Sequence, residues 1–131
     1  MSNTQERSTL KEAHTMQKNI LVVEDDEAIA EMLVQTISEE TAHRVLYTAD
    51  TIRALQMIQV TKPDLLMLNY HSPAMTGIEL YDKIAQHWGD IPTIMLSANL
   101  PQDKVARRNI IGMHKPFELD ELLDTIERLL A

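Results

Sequence analysis

Polar side chains that could bind ions stand directly after the short apolar runs of this sequence. They are Glu24, Asp25, Asp26, Asn69, Ser97, His114 and Lys115. Carboxylate and amide oxygens at this density suit Mg²⁺, which keeps several waters and uses few carboxylates. The hydroxyl of Ser97 and the ammonium of Lys115 would then face an anion held by the metal. These residue types therefore favour a site that binds a magnesium ion and an anion together.

Five short strands are predicted to position these residues. Apolar runs at 20–23, 65–68 and 93–96 are typical of strands that are buried on both faces of a parallel sheet. Two weaker strands are expected at Arg44–Thr48 and Ile110–His114. Each polar side chain above follows or ends one of these strands.

Helical patterns fill the segments between and after the strands. The clearest apolar stripe lies at the C-terminal end, and a short fourth helix is expected at about 101–108, with Pro101 in its first turn. Strand and helix alternate five times, which predicts a doubly wound α/β fold with helices on both faces of an open parallel sheet. Ligands bind such sheets outside the carboxyl ends of the strands, so the polar side chains should converge there.

Composition and charge narrow the classes of protein. A chain of 131 residues fits one domain, expected at 19–131 after a mobile or loosely helical leader at 1–18. The 12 Lys and Arg against 20 Asp and Glu give a net charge of −8, which disfavours nucleic acid as a direct ligand. The sequence has no cysteine, which excludes a disulfide scaffold and a thiol nucleophile. It also lacks a membrane-spanning run and a signal-peptide core, so a cytoplasmic protein without membrane contact is expected.

Four stretches of the sequence together resemble the receiver domain of two-component response regulators. They are 20–26 (ILVVEDD), 64–77 (DLLMLNYHSPAMTG), 92–98 (PTIMLSA) and 115–117 (KPF). The resemblance runs from about residue 19 to residue 131. It implies a (βα)₅ flavodoxin-like sheet with strand order 2-1-3-4-5 and a role in phosphorelay signal transduction. In that family an acidic pair binds Mg²⁺, and an Asp after the third strand accepts a phosphoryl group from a histidine kinase.

The resemblance assigns roles to residues at matching positions. Glu24 and Asp25 match the acidic pair, while Ser97 matches the switch hydroxyl and Lys115 the phosphate-binding ammonium. Asn69 falls on the phosphoacceptor position, and a carboxamide is a poor nucleophile because its nitrogen lone pair is delocalised. The amide also removes one negative charge, so a metal site of Glu24, Asp25 and Asn69 should bind Mg²⁺ weakly or hardly at all. Ordinary phosphotransfer is therefore not expected.

Further positions depart from the family pattern. Gly112 stands where the family has an aromatic residue that moves toward the switch hydroxyl, so the usual coupling to that hydroxyl should be lost. Ser72 replaces a Met, and Arg108 and Asn109 replace a small Gly-Ala turn. Pro116 keeps to the pattern and is expected to follow a cis peptide bond, a structural feature of the family.

These departures favour a degenerate receiver, a signalling module that acts through protein–protein contacts without aspartyl phosphorylation. Its expected partners are a histidine kinase or an output domain, and a second copy bound through the face of helix four, strand five and helix five. Charged residues on that face are Asp103, Lys104, Arg107, Arg108, Asp120 and Asp124. The alternative is an ordinary phospho-accepting receiver whose acceptor Asp has been changed to Asn.

An enzyme on the same fold is not expected, and no catalytic residue is assigned. The loop after the first strand lacks the hydroxyl- and glycine-rich composition of a flavodoxin. It also lacks the two Asp residues, two positions apart, of a haloacid-dehalogenase-like phosphatase.

Several site residues also have a purely structural interpretation. Asp26 is expected to cap the first helix, because an acid at a helix N-terminus is stabilised by the free N–H groups and the helix dipole. Lys115 could be an ion-pair partner of the neighbouring acids, and Asn69 a turn residue that only forms hydrogen bonds. His71 and His114 flank the site and are expected to be solvated.

Overall fold

The computed structural model describes residues 17–131, and residues 1–16, most of the predicted leader, lie outside the described residues. Lys18, the last residue assigned to the leader, already takes part in the hydrogen bonding of the sheet. Its C=O accepts a hydrogen bond from the N–H of Arg44 at 2.8 Å, and its N–H donates to Nδ1 of His43 at 3.1 Å. No helix in the described part of the protein is long and apolar enough to span a membrane.

Five parallel strands and five helices alternate along residues 19–130. The strands are β1 (Asn19–Val23), β2 (Arg44–Thr48), β3 (Leu65–Asn69), β4 (Thr93–Ser97) and β5 (Ile110–His114). The helices are α1 (Glu27–Glu40), α2 (Thr51–Val60), α3 (Gly77–Trp88), α4 (Gln102–Ala106) and α5 (Leu119–Leu130). The strands pair in the order β2-β1-β3-β4-β5, which confirms the predicted doubly wound fold and its strand order.

Apolar side chains on the two faces of the sheet form two separate cores. One face packs against α2 and α3 through Ala54, Ile58, Ile78 and Ile84. The other packs against α1 and α5 through Leu33, Ile37, Leu122 and Ile126. The central strands β1, β3 and β4 are almost fully buried, whereas the edge strand β2 is partly exposed along its length. The residues at the ends of the central strands are therefore held by the most deeply buried strands of the sheet.

Side-chain hydrogen bonds cap the N-termini of α1 and α3, close to the ends of the strands. Asp26 caps α1 by accepting a hydrogen bond from the N–H of Ile29 at 3.1 Å, as predicted. At the start of α3, Thr76 and Glu79 form a capping box, in which each side chain accepts from the backbone N–H of the other residue. Both loops are fixed by these local bonds.

A close contact between α3 and the end of β3 requires glycine at position 77. The N–H of Gly77 donates to the C=O of Tyr70 at 2.8 Å. A Cβ atom on Gly77 would lie only 2.8 Å from the backbone oxygen of Asn69. Because glycine has no side chain, α3 can begin directly against the residue at the end of β3.

Candidate functional site

The polar residues predicted to converge do so at the carboxyl ends of β1, β3, β4 and β5. They line an open cavity of about 450 Å³ formed by Glu24, Asp25, Asp26, Asn69, His71, Ser97, Ala98 and Lys115. His114 directly precedes Lys115 but is not among the lining residues, and it is exposed, in keeping with the expectation that it flanks the site and is solvated. Neighbouring residues of a strand point to opposite faces, and Nδ1 of His114 lies 3.4 Å from the C=O of Ala98.

Lys115 connects the ends of β1 and β3 across the cavity. Its Nζ donates to Oε1 of Glu24 at 3.1 Å and to the carboxamide oxygen Oδ1 of Asn69 at 3.0 Å. Glu24 is only 1% exposed, and its second oxygen, Oε2, accepts from the N–H of Asp26 at 3.1 Å. The buried carboxylate thus has an ammonium on one oxygen and a backbone amide on the other, as a buried charge requires. Lys115 and Glu24 thus form the ion pair that the structural interpretation of Lys115 predicts.

Asn69 uses both ends of its carboxamide within the site. While Oδ1 accepts from Lys115, Nδ2 donates to Oδ1 of Asp25 at 3.0 Å and to the backbone carbonyl oxygen of His71. The carboxamide therefore joins the ammonium to the exposed carboxylate of Asp25. An aspartate at this position could accept from the ammonium but could not donate to Asp25. This dual role depends on the amide.

Hydrogen bonds within the site compete with a magnesium ion for the donor oxygens. Both carboxylate oxygens of Glu24 already accept hydrogen bonds, and the carboxamide oxygen of Asn69 is bound to the Lys115 ammonium. The Nδ2 group of Asn69, which cannot ligate a metal while it donates hydrogen bonds, faces Asp25. Within residues 17–131, no group of three or more His, Asp and Glu side chains is placed to hold a metal ion.

Ser97 is buried and bonded within its own loop. Its hydroxyl accepts a hydrogen bond from the N–H of Asn99 at 3.0 Å and lies 3.3 Å from the C=O of the same residue. The backbone of Ser97 positions Lys115, whose N–H donates to the C=O of Ser97 at 3.1 Å. The peptide bond between Lys115 and Pro116 is cis, as the resemblance implies.

Leu100 covers Gly112, the position at which the family carries an aromatic side chain. Leu100 lies in the loop before α4 and is only 6% exposed. A Cβ atom added to Gly112 would lie 2.5 Å from Cδ1 of Leu100. The leucine side chain therefore occupies the space in which a side chain at position 112 would begin. The sequence shows that the ring is absent but gives no signal for the residue that replaces it.

Tyr47 is a neighbour of the site that sequence reasoning missed. Its hydroxyl donates to the backbone carbonyl oxygen of Glu24 at 2.9 Å. Burial raises the pKa of the Tyr47 phenol, and the nearby carboxylates of Glu24, Glu27 and Asp25 raise it further. Tyr47 lies near the carboxyl end of β2, and this position in the sequence could have indicated that it contacts the site. His71, predicted to be solvated, is exposed and contributes its backbone carbonyl to the site.

The fold and the site together define a class of protein. An open parallel sheet in this strand order, with an acidic pair, a hydroxyl and a lysine at the strand ends, is the architecture of a receiver domain. Residues 20–127 match the family described as the response regulator receiver domain. The chain belongs to this family.

Two relatives illustrate the similarity in sequence. The response regulator MprA of Mycobacterium ulcerans (strain Agy99) is 33% identical over 123 residues, which cover 88% of this chain and 51% of MprA. The transcriptional regulatory protein KdpE of Staphylococcus aureus (strain NCTC 8325 / PS 47) is 34% identical over 121 residues, which cover 87% of this chain and 52% of KdpE. The chain thus spans about half the length of these relatives.

Solved structures show the same fold. The chemotaxis protein CheY4 of Vibrio cholerae matches with a TM-score of 0.79 at 25% identity, covering 87% of this chain and 99% of that one. The signal receiver domain of an HD domain-containing protein from Pseudomonas fluorescens Pf-5 matches with a TM-score of 0.77 at 25% identity, covering 88% of each protein. The chain is thus a receiver domain of the two-component response regulator type.

Proposed function

We propose that this receiver domain is a cytoplasmic signalling module that binds protein partners and accepts no phosphoryl group at position 69. It makes no direct contact with nucleic acid or membrane, in keeping with its net charge of −8. The observation that carries the proposal is the carboxamide of Asn69, which stands at the acceptor position and is hydrogen-bonded to both Lys115 and Asp25.

Phosphotransfer to a receiver requires an oxygen nucleophile at the acceptor position. A carboxylate oxygen attacks phosphorus, the bond from phosphorus to the donor's leaving group breaks, and an acyl phosphate forms. The carboxamide oxygen of Asn69 is neutral and accepts a hydrogen bond from an ammonium, which lowers its nucleophilicity further. Glu24 and Asp25 bind Mg²⁺ weakly at most, because their bonds to Lys115 and Asn69 compete with the metal.

Labelling by a small phosphodonor tests this proposal directly. The wild type, Asn69→Asp and Asn99→Asp are incubated with acetyl phosphate and Mg²⁺, and their intact masses are measured. We expect Asn69→Asp alone to gain one phosphoryl group, because the new carboxylate stands beside Glu24, Asp25 and Lys115. Asn99→Asp is the matched control, since it adds a carboxylate in an exposed loop of the same end of the sheet. A phosphoryl group on the wild type would overturn the proposal.

Partner contacts are proposed on the face formed by α4, β5 and α5, where a second copy, a histidine kinase or an output domain could bind. Its exposed charged residues are Asp103, Lys104, Arg107, Asp120 and Asp124. Arg108, also expected on this face, is partly buried, and its guanidinium is bonded to Asp82 of α3. Sedimentation of the wild type and of Arg107→Glu over a range of concentrations tests for the dimer. A monomer at every concentration would contradict self-association.

A further inference from the structure

The outer edge of β2 carries backbone groups that the described residues leave unpaired. Within residues 17–131, β2 pairs with β1 alone. The N–H of Arg44 and the C=O of Thr48 bond toward β1. Because residues of a parallel ladder alternate in the direction of their backbone groups, those of Val45 and Tyr47 point outward. An open edge of this kind is a template for a further strand.

Grooves flank this edge on both faces of the sheet. The groove on the α1 side measures about 370 Å³ and is formed by Glu27, Ala30, Glu31, Val34, Gln35 and Tyr47. The groove on the α2 side measures about 340 Å³ and is formed by Leu46, Arg53, Gln56, Met57, Val60 and Thr61. Side chains alternate between the faces of a sheet, so an added strand would place successive side chains in the two grooves.

The two grooves differ in charge. Helix α1 carries four glutamates and no lysine or arginine in its sequence, EAIAEMLVQTISEE. Two of them, Glu27 and Glu31, line the groove on the α1 side, next to the ring of Tyr47. The pKa of the Tyr47 phenol is raised by burial and by neighbouring acids, including Glu27. This groove therefore suits a cationic side chain, which can also lie against the tyrosine ring.

The groove on the α2 side suits an apolar side chain. Leu46 and Met57 form its partly buried apolar surface, and Val60 is 88% exposed at its rim. Its one charged lining residue is Arg53, which would repel a cation. An added strand therefore fits best when cationic and apolar residues alternate along it.

A second copy of this protein is a poor occupant of the edge. Two β2 strands paired antiparallel about a two-fold axis would keep equivalent faces on the same side. Helix α1 of one copy would then lie beside α1 of the other, and the sequence of each helix has four glutamates and no lysine or arginine. The repulsion between the two helices favours a partner of opposite charge.

We propose that the outer edge of β2 binds an extended segment of a partner protein in which basic and apolar residues alternate. The segment pairs with the backbone of Val45 and Tyr47, its basic side chains enter the groove of Glu27 and Glu31, and its apolar side chains enter the groove of Leu46 and Met57. Recognition of this kind takes affinity from backbone hydrogen bonds and specificity from the side-chain grooves. The proposal goes beyond the function above and stands whether or not position 69 accepts a phosphoryl group.

Hydrogen exchange on the free 131-residue chain tests whether the edge is open. We expect the amides of Val45 and Tyr47 to exchange much faster than that of Leu46, which bonds toward β1. Slow exchange that does not depend on protein concentration would mean that another segment of the same molecule covers the edge. Exchange that becomes slower as the protein concentration rises would mean that a second copy covers the edge. Either result would overturn the proposal.

Binding of a capped peptide of alternating lysine and valine tests the partner chemistry. We expect it to slow exchange at Val45 and Tyr47. An alternating glutamate and valine peptide should bind more weakly, which isolates the charge. A third peptide of alternating lysine and valine carries N-methyl groups on the backbone nitrogens that would face β2. It keeps the charge but lacks the backbone N–H donors, so it should also bind more weakly. If either control peptide bound as tightly as the unmodified lysine and valine peptide, the proposal would be overturned.

Charge-matched variants locate the binding site. We expect Glu27→Gln combined with Glu31→Gln to raise the Kd of the lysine and valine peptide about fivefold, since each exposed ion pair contributes modestly. Glu118→Gln combined with Glu121→Gln removes the same charge at the start of α5 and should leave the Kd nearly unchanged. An equal rise in both double variants would show that only net charge matters and would overturn the assignment to β2. Amide spectra confirm that each variant is folded.

Discussion

The ammonium of Lys115 lies 3.0 Å from the carboxamide oxygen of Asn69, so the positions that the resemblance assigns to phosphate binding and to the acceptor are hydrogen-bonded to each other. The same carboxamide donates to Asp25 at 3.0 Å. With Asn at position 69, the cluster holds one cation and two nearby acids, Glu24 and Asp25. An Asp would add a third acid and would replace a donor facing Asp25 with an acceptor. Asn69 therefore relieves repulsion that an acceptor Asp would create.

The first prediction concerns the stability of Asn69→Asp. Without Mg²⁺, we expect this variant to lose about 1 kcal/mol of unfolding free energy, because a carboxylate then faces Asp25 without a shared proton. Millimolar Mg²⁺ should restore most of this loss, because the added carboxylate draws a cation into the cluster. Urea unfolding in EDTA and in Mg²⁺ measures both effects.

The control for this prediction is Asn99→Asp, which adds the same charge outside the cluster. Mg²⁺ should change its unfolding free energy and that of the wild type only slightly. A wild type that gains as much stability from Mg²⁺ as Asn69→Asp would contradict the argument, because it would show that Glu24 and Asp25 suffice to bind the metal.

The second prediction concerns the ion pair of Lys115. Glu24 is almost fully buried, so Lys115→Met leaves its carboxylate with the N–H of Asp26 but without a countercharge. We expect Lys115→Met to lose about 2–3 kcal/mol of unfolding free energy. This is less than the usual loss when one partner of a buried ion pair is removed, because the Lys115 side chain is 23% exposed. Asp25→Asn should be neutral or stabilising by up to about 1 kcal/mol, because its amide oxygen can still accept from Asn69. Denaturant melts in which Lys115→Met was as stable as the wild type would show that Lys115 makes no such contribution.

The strand ends explain why the convergence of the site could be predicted from the sequence. Glu24, Asn69 and Ser97 each follow or end a run of buried apolar residues, and parallel strands bring such positions to one edge of the sheet. The directions of the hydrogen bonds could not be predicted in the same way. Whether the oxygen of Asn69 meets Lys115 or Asp25 depends on distances between side chains from three different loops. Those distances are a property of the packed fold.

The α4 region shows a second limit of the sequence. The local sequence pattern predicts that the fourth helix continues to about residue 108, whereas α4 ends at Ala106. Arg108 lies beyond it and forms two hydrogen bonds with Asp82, 26 positions earlier in the sequence. A contact over that separation has no periodic signal. Similarly, the glycine at 112 marks a missing ring, but nothing near it identifies Leu100 as the residue that fills the space.

The third prediction concerns this contact between Leu100 and Gly112. In Gly112→Ala, the new methyl group would lie 2.5 Å from Cδ1 of Leu100, so the leucine side chain must move. We expect a loss of about 1 kcal/mol, since overpacking of a filled site costs about 1–3 kcal/mol and the flexible end of the leucine adjusts. The Leu100→Ala/Gly112→Ala double variant should lose less than the sum of the single losses. Additive losses in a double-mutant cycle would show that the two residues are not in contact.

The fourth prediction concerns switching in phosphorylated Asn69→Asp. A modification shifts an equilibrium only through contacts that differ between two states. Gly112 has no ring to move between exposed and buried positions, and the hydroxyl of Ser97 is bonded within its own loop. We therefore expect amide shifts near Asp25, position 69 and Lys115, with little change in α4 and β5. Large shifts throughout α4 and β5 would contradict this prediction and would favour an ordinary receiver whose acceptor was changed.

The fifth prediction concerns acid and the ion pair that connects α3 to the segment after α4. The guanidinium of Arg108 donates to both carboxylate oxygens of Asp82, each at 2.8 Å. These hydrogen bonds lower the pKa of the Asp82 carboxyl from its ordinary value of 3.8, with the charge of Arg108 adding to the effect and burial opposing it. A carboxyl group with a lowered pKa binds its proton more weakly in the folded state. Its contribution to stability is therefore fully present above about pH 4 and is lost as the pH falls through the folded-state pKa.

We expect Asp82→Asn to lose about 0.5–1 kcal/mol of unfolding free energy at pH 7, a modest value because the Asp82 side chain is 45% exposed. The difference from the wild type should shrink as the pH falls below about 4, since the wild-type carboxyl then binds a proton and the ion pair is lost. Denaturant melts at a series of pH values measure this difference. Asp103→Asn, which changes an exposed carboxylate on α4, is the control and should differ little from the wild type at any pH. A loss in Asp82→Asn that stays constant down to about pH 2 would show that Asp82 stabilises the fold by shape or by neutral hydrogen bonds and that its charge contributes nothing.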